Sequence, residues 1–211
     1  MNTVITISLV LGGLFAAFQI YTTMATEKTE TQPYKVIRIE KEFEIRYYPE
    51  ATLAKINSTA KSYRNLGNSG FGTLAKYIFG GNEEKKQIGM TSPVHMEIGD
   101  SISTMAFVMP ATMRKENLPG PLSGNILLET TAPEYVAAIR FGGFSNNESI
   151  EAHKKLLETA LKAHGLTYSG NFRYLGYNPP YQLIGRRNEV IVHLNASNFD
   201  KALLENVQSK D

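Results

Sequence analysis

The stretch YVAAIRFGGFSNNESIEAHKKLLETALKAHG, Tyr135 to Gly165, decides the fold. Its first part, Tyr135–Phe141, is rich in β-branched and aromatic residues and reads as a strand. Gly142-Gly143 ends it. A glycine pair between a strand and a helix is a place where a phosphate can be cradled, but two glycines alone read as a tight strand-to-helix turn. Ser145 followed three residues on by Glu148 has capping-box spacing. It opens a helix that runs to His164, with Gly165 as its stop. Ile150, His153, Leu157, Leu161 and His164 share one face, which Leu156 and Ala160 widen. A strand, a tight turn and an amphipathic helix in succession call for a sheet with a helix laid on it.

Working outward, the first half repeats this order. Lys35–Tyr48 reads as a broken strand ending at Pro49, and Thr52–Asn57 as a second. A short helix follows, capped at Asn68 or Ser69, with Phe71, Leu74, Ala75 and Ile78 on one apolar face and Gly80-Gly81 at its end. Met90–Ile98 and Ser103–Met109 pair across Gly99-Asp100. Pro110, Pro119 and Pro121 mark an irregular stretch. Ile126–Thr131 reads as a strand before the opening segment; Phe172–Tyr177 and Val190–Leu194 follow it. Each half is strands, one helix, strands. The expected class is α+β: a distorted antiparallel β-barrel or curved sheet of two pseudo-symmetric halves, flanked by two helices.

The chain has 211 residues, 42% of them hydrophobic and 20% charged, enough for one real core. A net charge of +2 gives no electrostatic case for nucleic acid. The absence of cysteine excludes disulfides, thiolate catalysis, Fe–S clusters and covalent haem attachment. Ahead of the domain, Val4–Ile20 has Gln19 as its only strongly polar residue, and no charged side chain appears before Glu27. Its length lies between a signal-peptide core and a bilayer span, nearer the span. It reads as a single-pass anchor that puts residues 4–20 in a lipid bilayer; a cleaved signal and a buried core helix are the alternatives. Lys28, Lys35, Arg38 and Lys41 follow, but long domains translocate largely regardless of such charges, so they do not assign a side. The expected organisation is 1–24 anchor, 25–33 polar linker, 34–197 folded domain and 198–211 polar tail.

No nucleophile elbow, phosphate loop, dinucleotide fingerprint or His-Glu-x-x-His motif is present. His153 and His164 share a helix face but lie about 16 Å apart along the axis, too far to hold one metal. His193 reads as a solvated strand position. His95, beside Met96, is a candidate axial ligand or a strand-edge residue. The glycines around Phe71 cost helix stability and point to close approach or mobility. A flat apolar ligand against Phe71, Leu74, Ala75 and Ile78, with Arg64 or Lys76 pairing its carboxylates, is one reading; a plain core helix is the other.

Five stretches resemble the SOUL haem-binding family: FEIRYYP (43–49), SGFGTLAKYIFGGN (69–82), KKQIGMTSPV (85–94), VAAIRFGGF (136–144) and GYNPPYQLIGRRNEV (176–190). The resemblance implies a distorted barrel of two related halves that binds haem or another tetrapyrrole non-covalently and reversibly, for buffering, transport or sensing. It implies a groove with Phe71, Leu74, Ala75 and Ile78 on one wall and Arg64 as propionate partner. The other wall is the loop Tyr177–Leu183, with Pro179, Pro180, Tyr181 and Gln182. Some members carry a histidine where Tyr47 stands and a lysine where Gln182 stands; Tyr47 and His95 are the metal candidates left. No other metal and no catalytic residue is expected. A tetrapyrrole-processing enzyme, for which Glu44, Glu97 and His95 are the nameable acid–base groups, and an amphiphile-sensing module on the same fold are the rival readings.

Overall fold

The computed structural model describes residues 2–195 and 197, so the expected tail 198–211 lies outside the described residues. The strands are β1 (Lys35–Ile39), β2 (Glu44–Tyr48), β3 (Ala51–Ser58), β4 (Val94–Glu97), β5 (Ser103–Val108), β6 (Ile126–Thr131), β7 (Glu134–Phe141), β8 (Tyr168–Gly176) and β9 (Asn188–Leu194). The helices are α1 (Asn2–Glu27), α2 (Tyr63–Ile78) and α3 (Asn147–Ala163). All nine strands join one curled antiparallel half-barrel in the order β1-β2-β7-β9-β8-β4-β5-β3-β6.

That order contains the repeat. The halves run β3-α2-β4-β5 and β7-α3-β8-β9, and the sheet sets them as β7-β9-β8 against β4-β5-β3. They meet at β8 and β4, with Met96 opposite Tyr174 and His95 opposite Leu175. A local two-fold between β4 and β8 relates them.

Several boundaries differ from the sequence reading. The Lys35–Tyr48 strand folds back on itself, because Glu40 N–H donates to Phe43 O and turns β1 into an edge strand on β2. The strand expected from Met90 begins only at Val94, after Pro93, which has no N–H for a ladder. Helix α2 starts well before Asn68: Ser62 is its cap and accepts from Asn65 N–H. Ser69 instead sits mid-helix and donates back to Asn65 O. The capping box of α3 is Asn146 with Ser149, one residue later than Ser145 with Glu148. Gly143 and Gly165 have φ of +77° and +66°, as a strand-to-helix turn and a helix stop require.

The buried stripe of α2 is Leu66, Gly70, Leu74, Tyr77 and Ile78. Burying each large aliphatic side chain contributes about 1.5–3 kcal/mol. Gly70 permits the close approach: a Cβ there would lie 2.5 Å from Ile56 Cδ1 and 3.2 Å from Met105 Sδ. This stripe and Ile150, Leu157 and Leu161 of α3 cover one face of the sheet. Tyr48, Val136, Ala138, Leu175, Tyr177 and Ile191 form a separate cluster on the other face.

Residues 28–33 are pinned to the domain. Ser92 N–H donates to Glu30 O, Gln32 N–H donates to Ser92 O, and the Gln32 side chain reaches His95. Helix α1 exposes apolar side chains on all sides from Ile5 to Phe18. It is long and apolar enough to cross a membrane.

Candidate functional site

The two-fold leaves a groove of about 610 Å³ between the N-terminal turns of α2 and α3. Its floor is the cross-strand pair Met96 and Tyr174. One wall is Tyr63, Arg64, Gly67 and Asn68, which the helical repeat puts on one flank of α2 together with Phe71 and Ala75. The facing wall is Ser145 to Glu148, with Ile150, at the entry to α3. Tyr174 is fixed from two sides, its hydroxyl 2.7 Å from Ser145 Oγ and 2.8 Å from Asn188 Oδ1. Tyr63 lies edge-on to it with ring centroids 5.7 Å apart.

Chemically, this is an apolar and aromatic floor with cationic ends. Both helix N-termini carry partial positive charge, and the exposed Arg64 adds a full one; Glu148 is the opposing charge in the lining. Burial pushes the Tyr63 phenol up to about 12, helped by Glu151 and Glu97. Burial also raises Tyr174, against the Ser145 hydrogen bond and Arg186. Both phenols stay protonated near neutral pH, as donors and ring surfaces rather than phenolates. The size and mixed lining suit a flat apolar ligand with acidic substituents. A larger cleft of about 820 Å³ lies on the far side of Tyr63. Its lining sets Tyr168 and Phe172 among six charged residues of both signs, Lys61, Asp100, Glu151, Lys154, Lys155 and Glu158, where the groove has two, Arg64 and Glu148, so it suits a macrocycle less well.

The expected site residues divide. Arg64 lines the groove. Phe71 lies further along the same flank, 40% exposed and edge-on to Phe107, with half-buried Ala75 beyond it. Leu74 and Ile78 are 0% and 1% exposed against the sheet, so they back the wall and do not form its surface. The apolar face read from the sequence was rotated toward the core. Tyr177 belongs to the opposite face, where its hydroxyl donates to Glu189. Pro179 and Pro180 shape the β8–β9 loop, and Tyr181 projects from its tip, 56% exposed. Gln182 is buried and turned away: its Oε1 accepts from Thr26 of α1 and its Nε2 donates to Ile184 O.

The two loop arginines are engaged. Arg186 donates to Pro179 O and Gln182 O at 2.7 Å each, and its guanidinium lies over Phe144. It holds the loop in shape. Arg187 enters a buried ionic cluster with Glu189, which also takes two hydrogen bonds from Arg46, at 2.7 and 3.1 Å. Arg46 and Glu189 are 2% and 0% exposed. Burial opposes both charges, but each holds the other ionised: Arg46 is raised and Glu189 lowered from their ordinary values.

Neither metal candidate faces the groove. Tyr47 is buried against Tyr135 with centroids 5.2 Å apart. His95 is on the opposite face, its Nε2 2.7 Å from Gln32 Oε1. Burial, aided by Arg173, pushes its pKa down to about 3, so it is a neutral imidazole with a committed nitrogen. His153 stacks on Phe141 at 4.0 Å, and His193 is a half-exposed strand residue near Glu134. Glu44 is paired with Arg46, and Glu97 accepts from Asn171. Three strands separate β2 from β4, which sets Glu44 roughly 19 Å from the other two acid–base candidates at about 4.8 Å per strand.

Gly67, Met96, Tyr63, Tyr174 and Ser145 are groove residues that the sequence did not single out. Their signal is the β4–β8 register, which joins residues far apart in the chain.

The family model described as SOUL heme-binding protein matches residues 29–193. The chain is 30% identical to human Heme-binding protein 2 over 156 residues, 70% of this chain and 76% of the relative. It is 27% identical to mouse Heme-binding protein 1 over 172 residues, 76% of this chain and 90% of the relative. The C-terminal domain of EcmrR has the same fold, with a TM-score of 0.58 at 8% identity, over 77% of this chain and 98% of that domain.

Proposed function

This chain belongs to the SOUL haem-binding protein family, and on that premise we propose that it holds haem or another tetrapyrrole, non-covalently and reversibly, in the groove between α2 and α3. The observation that carries the reading is the Met96–Tyr174 floor on the two-fold, open between two helix N-termini with Arg64 at the rim. A macrocycle face laid on that floor and against Phe71 buries apolar area at about 25 cal/mol per Å². Its propionates meet Arg64 and the helix N-termini. Bound haem supplies iron that can carry small ligands or electrons. The protein supplies the apolar bed, the cationic rim and two neutral phenols. No imidazole lines the groove, so binding rests on the macrocycle rather than on an axial bond.

The same reading makes α1 a single-pass anchor that tethers the domain to a bilayer through residues 4–20. Reversible, unligated binding beside a membrane suits buffering, transport or sensing of a ligand that partitions into lipid. No observation favours the enzyme reading over this one, since Glu44, Glu97 and His95 do not converge.

Titration of the full chain in detergent with haem, followed at the Soret band, tests the proposal. A saturable shift in the wild type, weakened in Phe71→Asp and Arg64→Glu, is the expected result. Absence of a saturable shift, or identical titrations for all three proteins, contradicts it.

A further inference from the structure

Helix α1 is hydrogen-bonded to the tip of the β8–β9 loop. Gln19, the one strongly polar residue of the apolar run, is 5% exposed. Its Nε2 donates to Tyr181 O and its Oε1 accepts from Leu183 N–H. Phe18 packs toward the Tyr181 ring, with centroids 6.1 Å apart. Two helical turns on, Thr26 donates to the Gln182 side chain.

Two features of the tip fit lipid better than water. Its side chains are apolar and exposed: Tyr181 56%, Leu183 44% and Ile184 69%. Much of its backbone is internally paired. Tyr181 O and Leu183 N–H go to Gln19, Gln182 O to Arg186, Ile184 O to the Gln182 amide, and Gln182 N–H to Pro179 O. Irregular backbone persists at membrane depth only when its polar groups are satisfied within the protein. Height along the helix agrees. The apolar run Val4–Ile20 rises about 24 Å at 1.5 Å per residue, against a hydrocarbon core about 30 Å thick. Gln19, and with it the tip, lies at the domain-side end of that run.

We propose that the β8–β9 loop tip, Tyr181 to Ile184, is a second membrane contact, seated in the lipid interface of the bilayer that α1 crosses. The proposal rests on the anchor reading of α1. Gln19 then does two things: it neutralises its own polar amide at the edge of the hydrocarbon, and it sets the height of the domain.

The chain has no tryptophan, so single substitutions report position directly. The full chain is reconstituted into phosphatidylcholine vesicles brominated either near the carbonyls or near the acyl-chain ends. Phe15→Trp reports the anchor, Ile184→Trp and Leu183→Trp report the tip, and Ile102→Trp, in the turn at the opposite end of β4, is the aqueous control. The expected result is strong quenching of Phe15→Trp by deep bromines. Both tip variants should show blue-shifted emission and quenching by shallow bromines, with Ile102→Trp unquenched. If Phe15→Trp is quenched while both tip variants behave like Ile102→Trp, the tip proposal is overturned and the anchor stands. If Phe15→Trp is unquenched, the anchor reading fails and takes this proposal with it.

Discussion

On the helix-bearing face of the sheet, Met96 and Tyr174 lie side by side at the floor of a groove; on the opposite face, the next residues along those two strands, His95 and Leu175, are taken up by Gln32 and by a packed apolar cluster. The sealed face buries Arg46, Glu189 and His95 with their partners already in place. Every charge there is answered by another part of the chain, so nothing remains to recognise a ligand. The grooved face buries aliphatic and aromatic residues and leaves its polar groups at the rim. One sheet thus separates stability from recognition by side-chain alternation alone. On the proposed reading, recognition falls to the groove on the two-fold and the buried ions serve folding.

The contrast breaks most visibly at Glu189. Glu189→Ala leaves Arg46 and Arg187 facing a void, and removing one partner of a buried pair costs about 3–5 kcal/mol. Urea unfolding should register that loss, while porphyrin affinity of the folded fraction stays at the wild-type value. A large drop in affinity with little loss of stability would reverse the assignment of the two faces.

His95 gives the next largest effect. Its folded pKa of about 3 lies below the ordinary 6.5, so the unfolded chain takes up the proton first. Its contribution is full above the ordinary value and is lost as pH falls toward the folded one. Stability should therefore drop by about 1.4 kcal/mol per pH unit below roughly pH 6.5. Unfolding curves at pH 7, 6 and 5 check this, and His95→Gln should flatten the slope from pH 6.5 to 5.

Gly67→Leu tests the other face. A Cβ at Gly67 meets only Met96 Cε, at 3.8 Å, so the new side chain enters the groove without striking the core. Porphyrin affinity should fall at least about tenfold, or about 1.4 kcal/mol. Stability should hold or rise by up to about 1 kcal/mol, since leucine favours helix over glycine. Smallest of all is the effect of the metal: with no imidazole in the lining, metal-free porphyrin should bind within a few-fold of haem, as fluorescence titration can measure.

Much of this was legible in the chain. The strand, glycine turn and amphipathic helix of residues 135–165 announced a sheet with helices on it, and the repeat of that order announced two halves. The family motifs pointed to the α2 region, whose first turns line the groove, and to the β8–β9 loop, which does not line it. Less visible was the rotation of α2. Its glycines hid the first two turns, so Ser62 was missed as cap, and Leu74 and Ile78 were read with Phe71 although they point into the core. Gln182 was read as a ligand residue, but its partner is Thr26, 156 positions away. The Arg46–Glu189 pair spans 143 positions, and Met96 meets Tyr174 only through strand register. Local periodicity reports local structure; the site is assembled from pairings that no local pattern contains.

The central claim is that a tetrapyrrole lies on the Met96–Tyr174 floor. Ring currents of a bound porphyrin displace nearby methyl resonances strongly, and the chain has seven methionines that can carry a 13C-methyl label. Met113 is the internal control, because it lines a separate cleft of about 210 Å³ beside Pro110. On adding metal-free porphyrin, the Met96 methyl, assigned by its loss in Met96→Leu, should shift far upfield in a saturable way while Met113 stays in place. An unmoved Met96 signal beside a shifted Met113, or no methionine shift at saturating porphyrin, would contradict the account.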